Sequence, residues 1–167
     1  MSVLSFLEWL QNTPLSVGIR ESTVVFPVIE SVHVLGLCLF LGLAVLLDLR
    51  LLGVTLLRMP VSEVHRRILP WTWTGAVIMV VSGIFTFFND PVRYYNNVFF
   101  RVKLVMLVLA ALNAYLFEIG VFRSVDEWGA RAGTPRQARL AGYVSLVLWG
   151  SIVIAGRMIA YNWFDKK

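Results

Sequence analysis

From Ser31 to Leu47 the chain carries no Asp, Glu, Lys or Arg, and extending the stretch back to Thr23 adds only Glu30. A run of that length reaches across a bilayer hydrocarbon core, for which a helix needs about 20 apolar residues. Lipid offers the backbone no hydrogen bonds, so a spanning segment must be a helix or one strand of a closed barrel. The run is continuously apolar rather than alternating with period two, and that selects the helix.

The pattern recurs three more times. Spans are expected at about 23–52, 71–88, 97–122 and 140–163, with Pro70 opening the second and Asn89-Asp90-Pro91 closing it. Gly133, Thr134 and Pro135 lie in the connection before the fourth. At 58% hydrophobic residues and a mean hydropathy of +0.75, the 167 residues form no ordinary soluble domain. The fold class is all-α: a four-transmembrane-helix bundle, one integral membrane domain over 1–167. Met1–Gln11 has no basic n-region, so it is not read as a cleavable signal. Val3, Leu4, Phe6, Leu7 and Leu10 recur at helical spacing opposite Glu8 and Gln11. This is a short N-terminal amphipathic helix, lying at the interface or packing on the bundle.

Basic residues give an orientation. Arg50, Arg58, Arg66, Arg67, Arg123, Arg131, Arg136 and Arg139 lie in the first and third connections, against Arg20, Arg93, Lys166 and Lys167 on the other side. The positive-inside rule then puts both termini outside the cytoplasm. The formal net charge of +5 is accordingly read as topology, not as nucleic-acid affinity. With the single Cys38 there is neither a disulfide framework nor a CxxC metal site.

His33 is the ionisable group that stands out, because such a group at membrane depth faces protein, water or a ligand. Glu30 precedes it by one turn, and Gly36 follows by one, leaving room for close helix contact or for a flat ring such as a porphyrin. With about 1.5 Å of rise per residue, His33, Lys103 and Arg157 fall roughly 9–15 Å below one membrane boundary, with Glu30 among them. Lys103, Met106, Ala110, Asn113 and Phe117 form one stripe on the third span, and Gly150, Val153, Arg157 and Tyr161 one on the fourth. This set suits haem b, with His33 as axial ligand to the iron and Lys103 and Arg157 pairing the propionates. The second axial position would be empty or filled by Met106, Met158 or another subunit. His65, flanked by Arg66 and Arg67, is expected in a solvated connection on the opposite side. Asp48 and Arg50 are expected to mark the end of the first helix, and Asp126 and Glu127 to lie in a solvated connection. Glu30 and His33 make one ExxH spacing, whereas a di-iron bundle requires two and further acids.

The run HVLGLCLFLGLAVLLDLRLLG (33–53) comes with LPWTWTG (69–75), SGIFTFF (82–88), LNAYLF (112–117) and LWGSIVIAGRMIAY (148–161). In that order they resemble a family of small bacterial four-helix membrane proteins catalogued only as a domain of unknown function. The resemblance implies a multi-pass protein of the bacterial inner membrane and brings no activity with it. In architecture it is similar to small helical bundles that hold haem b through a histidine in an apolar helix. The expectation is therefore a haem-b-binding membrane protein for electron transfer or redox sensing. The alternatives are a small oligomeric proton or cation transporter or channel subunit using Glu30 and His33, or a structural partner of a larger membrane complex. No Ser-His-Asp set, P-loop, Rossmann fingerprint or HExxH is present, so an enzyme is the least supported class.

Overall fold

The computed structural model describes residues 2–128 and 134–161, without the side chains of Asp126 and Glu127. Gly133, Arg131, Lys166, Lys167, the expected span end at Trp163 and those two acids' surroundings lie outside the described residues. Within them the elements are α1 (Val3–Gln11), α2 (Pro14–Glu21), α3 (Val25–Leu51), α4 (Val61–Asn89), α5 (Pro91–Asn96), α6 (Val98–Leu116) and α7 (Arg136–Met158). A π-helical turn, Phe117–Val121, and a 3-10 segment, Phe122–Trp128, extend α6, and a 3-10 turn, Ile159–Tyr161, ends α7. Four helices are long and apolar enough to cross a membrane: Val25–Leu51, Val61–Asn89, Val98–Val125 and Arg136–Tyr161. The protein is a multi-pass helical membrane protein, and the bilayer is its environment.

Two boundaries differ from expectation. The second span does not open at Pro70, because α4 starts at Val61 and carries Pro70 inside it. An internal proline removes one backbone bond and crowds the preceding turn. Here Thr72 donates to the Ile68 carbonyl (3.0 Å) and Thr74 to the Pro70 carbonyl (2.9 Å), supplying extra donors around the break. At the N-terminus a second helix, α2, follows the first. Thr13 caps it by accepting from the Ser16 amide, and Pro14 occupies its first turn, where no amide donor is required. The amphipathic α1 packs on α5, with Leu7 buried while Phe6 and Trp9 face outward.

The α3–α4 connection follows from one glycine. Gly53 takes φ +77°, its amide bonds to the Arg50 carbonyl, and the Val54 amide bonds to the Leu49 carbonyl. Those two bonds are a Schellman cap, in which a left-handed residue is needed just beyond the helix.

Helix α3 is the centre of the bundle. It packs most extensively on α4 and also on α7, while α6 packs on α7. Small residues permit the close approaches, as in other membrane helices. A Cβ on Gly36 would lie 2.7 Å from Ile78 Cγ2, and one on Gly75 would lie 2.7 Å from the Phe40 amide nitrogen. Between α4 and α6, side chains bridge the two ends: Phe87 stacks on Phe100 at 5.6 Å, and His65 reaches Glu118. The tightest apolar core, Leu51, Val61, Phe117, Val125, Trp128 and Ala138, lies at the His65 end.

Candidate functional site

The antiparallel α3–α4 register pairs Phe40 with Gly75, Gly36 with Ile78 and Met79, and His33 with Ser82 and Gly83. Gly83 gives the imidazole its space, since a Cβ there would come within 3.2 Å of His33 Cε1. At Gly36 the space is filled by Ile78, so that glycine supplies close helix contact and no cleft for a ring.

The hydrogen bonds around His33 select its tautomer. Nδ1 lies 3.0 Å from Ser82 Oγ. A serine has a single hydroxyl proton, and Ser82 directs it to the Ile78 carbonyl at 2.5 Å, with Met79 O at 3.3 Å. Ser82 Oγ must then accept from His33, and the Met79 carbonyl, a pure acceptor, also faces the ring. In the neutral ring the proton therefore sits on Nδ1, and Nε2 keeps its lone pair. Nε2 makes no hydrogen bond among the described residues.

Lys103 on α6 acts electrostatically on His33, as does Glu30 on α3. Its half-buried stem rests on α7, with Nζ 3.6 Å from where a Gly156 Cβ would stand. No carboxylate pairs with this ammonium among the described residues. Glu30 is exposed and extends its influence to Tyr94 on α5. Burial pushes the Tyr94 phenol above its ordinary range, Arg93 opposes this, and Glu30 and Asp90 add to it. Arg157 does not turn toward Lys103 and His33; it is exposed, with its guanidinium 5.5 Å from the Tyr161 ring centroid. The expected stripe on α6 does face one partner: Ala110 is buried, and Asn113 Nδ2 donates to the Ala141 carbonyl of α7 at 3.1 Å.

His65 is the principal correction. It is not in a solvated connection: it lies on α4, only 7% exposed, with Nε2 2.7 Å from Glu118 Oε1 and its ring 4.1 Å from that of Phe122. Glu118 is the second residue of the π-helical turn, an irregularity frequent at functional sites. Taking Pro70 as a helix start concealed this pair. Val61, Val64, His65 and Ile68 share helical spacing, the signal from which it was recoverable. Asp48 and Arg50 do end α3, and both are only 6% exposed.

A search of the curated proteins found no match, and neither did a search of the solved structures. Residues 6–162 match the sequence model of a family of unknown function (DUF6644), and the chain belongs to that family.

Proposed function

We propose that this is a haem-b-binding membrane protein serving electron transfer or redox sensing, with His33 Nε2 as an axial ligand. The observation that carries the reading is the Ser82-oriented imidazole, whose Nδ1 donates while Nε2 keeps an unused lone pair. A ligating histidine characteristically donates its other ring nitrogen to a fixed acceptor. The donor chemistry therefore fits on the iron side. Lys103, an ammonium without a carboxylate partner, fits one propionate. Gly36 takes no part in holding the ring, and Arg157 would have to leave Tyr161 to reach a propionate. When bound, haem b supplies a one-electron couple; this chain supplies the nitrogen ligand, its orientation and the cation. The second axial position would be filled by Met106, Met158 or another subunit, or left empty. The resemblance to small bacterial membrane proteins supports a place in the bacterial inner membrane, and the distribution of basic residues supports both termini outside the cytoplasm.

One observation favours a second reading. Glu30 is exposed on a spanning helix of the single chain, an arrangement suited to a homo-oligomer or larger complex whose neighbour covers it. Glu30 and His33 would then serve a proton or cation path.

The test is the visible spectrum of detergent-purified protein expressed with ample haem precursor or reconstituted with haemin. A Soret band is expected, lost in His33→Ala and retained with a shifted midpoint potential in Ser82→Ala. No band in the wild type after reconstitution refutes the haem reading.

A further inference from the structure

Asp48 takes no part in the site above, and its surroundings are unusual for a carboxylate. It is 6% exposed on a spanning helix, and its Oδ2 is fully buried without a hydrogen-bond partner. The Ser145 hydroxyl of α7 is the side-chain polar group that acts on the carboxylate. Gly142, one turn earlier, lets α7 close on this point, since a Cβ there would stand 3.3 Å from the Asp48 carbonyl oxygen.

No described cation neutralises it. Arg50, two residues away, is turned to the connection, where Nε and Nη2 both donate to the Met59 carbonyl at 3.0 and 2.7 Å. From Leu140 to Gly156, α7 carries no Asp, Glu, His, Lys or Arg, and Tyr143, its one titratable group, faces outward. Arg136 and Arg139, at the start of α7, are exposed. On α4 the buried titratable group at this end is His65, which is bonded to Glu118, while Glu63 pairs with the exposed Arg67. Leaving a carboxylate charged and unpaired in such a medium is strongly unfavourable. An unpartnered carboxylate oxygen in such a medium favours association with one positive charge.

We propose that Asp48 and Ser145 form an intramembrane cation site that takes up one positive charge, a proton or a small monovalent metal ion such as sodium, from the His65 end of the bundle. The unpartnered Oδ2 is the receiving atom, and the Ser145 hydroxyl of α7 is its polar neighbour. This inference does not depend on haem binding.

The full chain in detergent is unfolded thermally while sodium replaces choline at constant ionic strength, and separately across a pH series. If the ligand is sodium, Tm rises by about 3–6 °C per tenfold increase above its Kd. If it is a proton, a similar rise accompanies each unit of falling pH, and sodium does nothing. Asp48→Asn loses the response in either case. A wild type flat in both series, or a response unchanged in Asp48→Asn, overturns the proposal. Should that variant fail to fold, wild-type protein is treated with dicyclohexylcarbodiimide, which attaches to a protonated carboxyl in an apolar site. Labelling at Asp48 that falls with rising pH or with sodium supports the site; labelling that ignores both, or none, overturns it.

Discussion

Gly75→Ala tests the α3–α4 interface on which the His33 site is built. The new Cβ would stand 2.7 Å from the Phe40 amide nitrogen and 3.0 Å from its Cα. Both neighbours are backbone, so rotamer changes give no relief. Restoring an ordinary contact of about 3.4 Å means separating the helices locally by roughly 0.7 Å, and a gap of that size forfeits about a quarter to a half of each neighbouring dispersion contact. Overpacking of this kind costs about 1–3 kcal/mol, against a propensity gain of about 1 kcal/mol for removing a helical glycine. A net loss of up to about 2 kcal/mol is expected by denaturant unfolding in mixed micelles. Gly36→Ala should behave similarly and also loosen the His33–Ser82 bond one turn away, although its nearest neighbour, Ile78 Cγ2, is a more yielding side-chain atom. Gly150→Ala is the control. Nothing lies within 4 Å of that Cβ, so it should stabilise slightly. Equal stability for Gly75→Ala and Gly150→Ala would refute the close approach of α3 and α4.

His65→Ala removes the bond to Glu118 and the ring contact with Phe122 beside the core, and should cost about 2–4 kcal/mol. Glu118→Gln, which preserves an acceptor on a partly exposed side chain, should cost less than about 1 kcal/mol; the reverse order, read by the same unfolding assay, would contradict the buried placement of His65. Tyr94 gives a pH prediction. Its folded phenol is held above the ordinary value, chiefly by burial, so the unfolded chain ionises first and stability falls as pH rises past about 10. Tyr94→Phe should flatten that alkaline loss and remove one late-titrating phenol from the ultraviolet titration; an unchanged profile would show that Tyr94 is not the group responsible.

The four spans were legible because lipid restricts the chain to helices of a known length. The turn after α3 rests on Gly53, a residue suited to the left-handed position. The register of α3 on α4 was not legible, because it depends on which glycine meets which backbone. The sequence brought His33, Lys103 and Glu30 to one depth, and electrostatic interactions do link Lys103 and Glu30 to His33. Depth along a helix says nothing about angle around it, however, and Arg157 shares the depth while facing away. Ser82 went unnoticed as the partner of His33 for the same reason: a serine in an apolar run most often bonds back to its own helix. Ser82 does so here as well, and that bond is what obliges it to accept from the imidazole.

On α3 hydrophobicity cannot mark the packed face, because the helix is apolar nearly all round. The face toward α4 and α7 is instead marked by its exceptions, His33, Gly36 and Asp48, which share one helical stripe with Phe40 and Leu51. In water such a stripe would be the oily side of the helix; in lipid it is the small and polar side. Packing and chemistry therefore share one surface, with an imidazole near one end and a carboxylate near the other. A substitution at either residue also perturbs the interface that holds the helices together. The neighbouring hydroxyls separate the two effects. Ser82→Ala and Ser145→Ala each remove a single oxygen and leave helix spacing unchanged. A spectral change from the first or a cation response altered by the second would thus report chemistry at His33 and Asp48, whereas equal losses of stability with neither signature would assign both hydroxyls to packing alone.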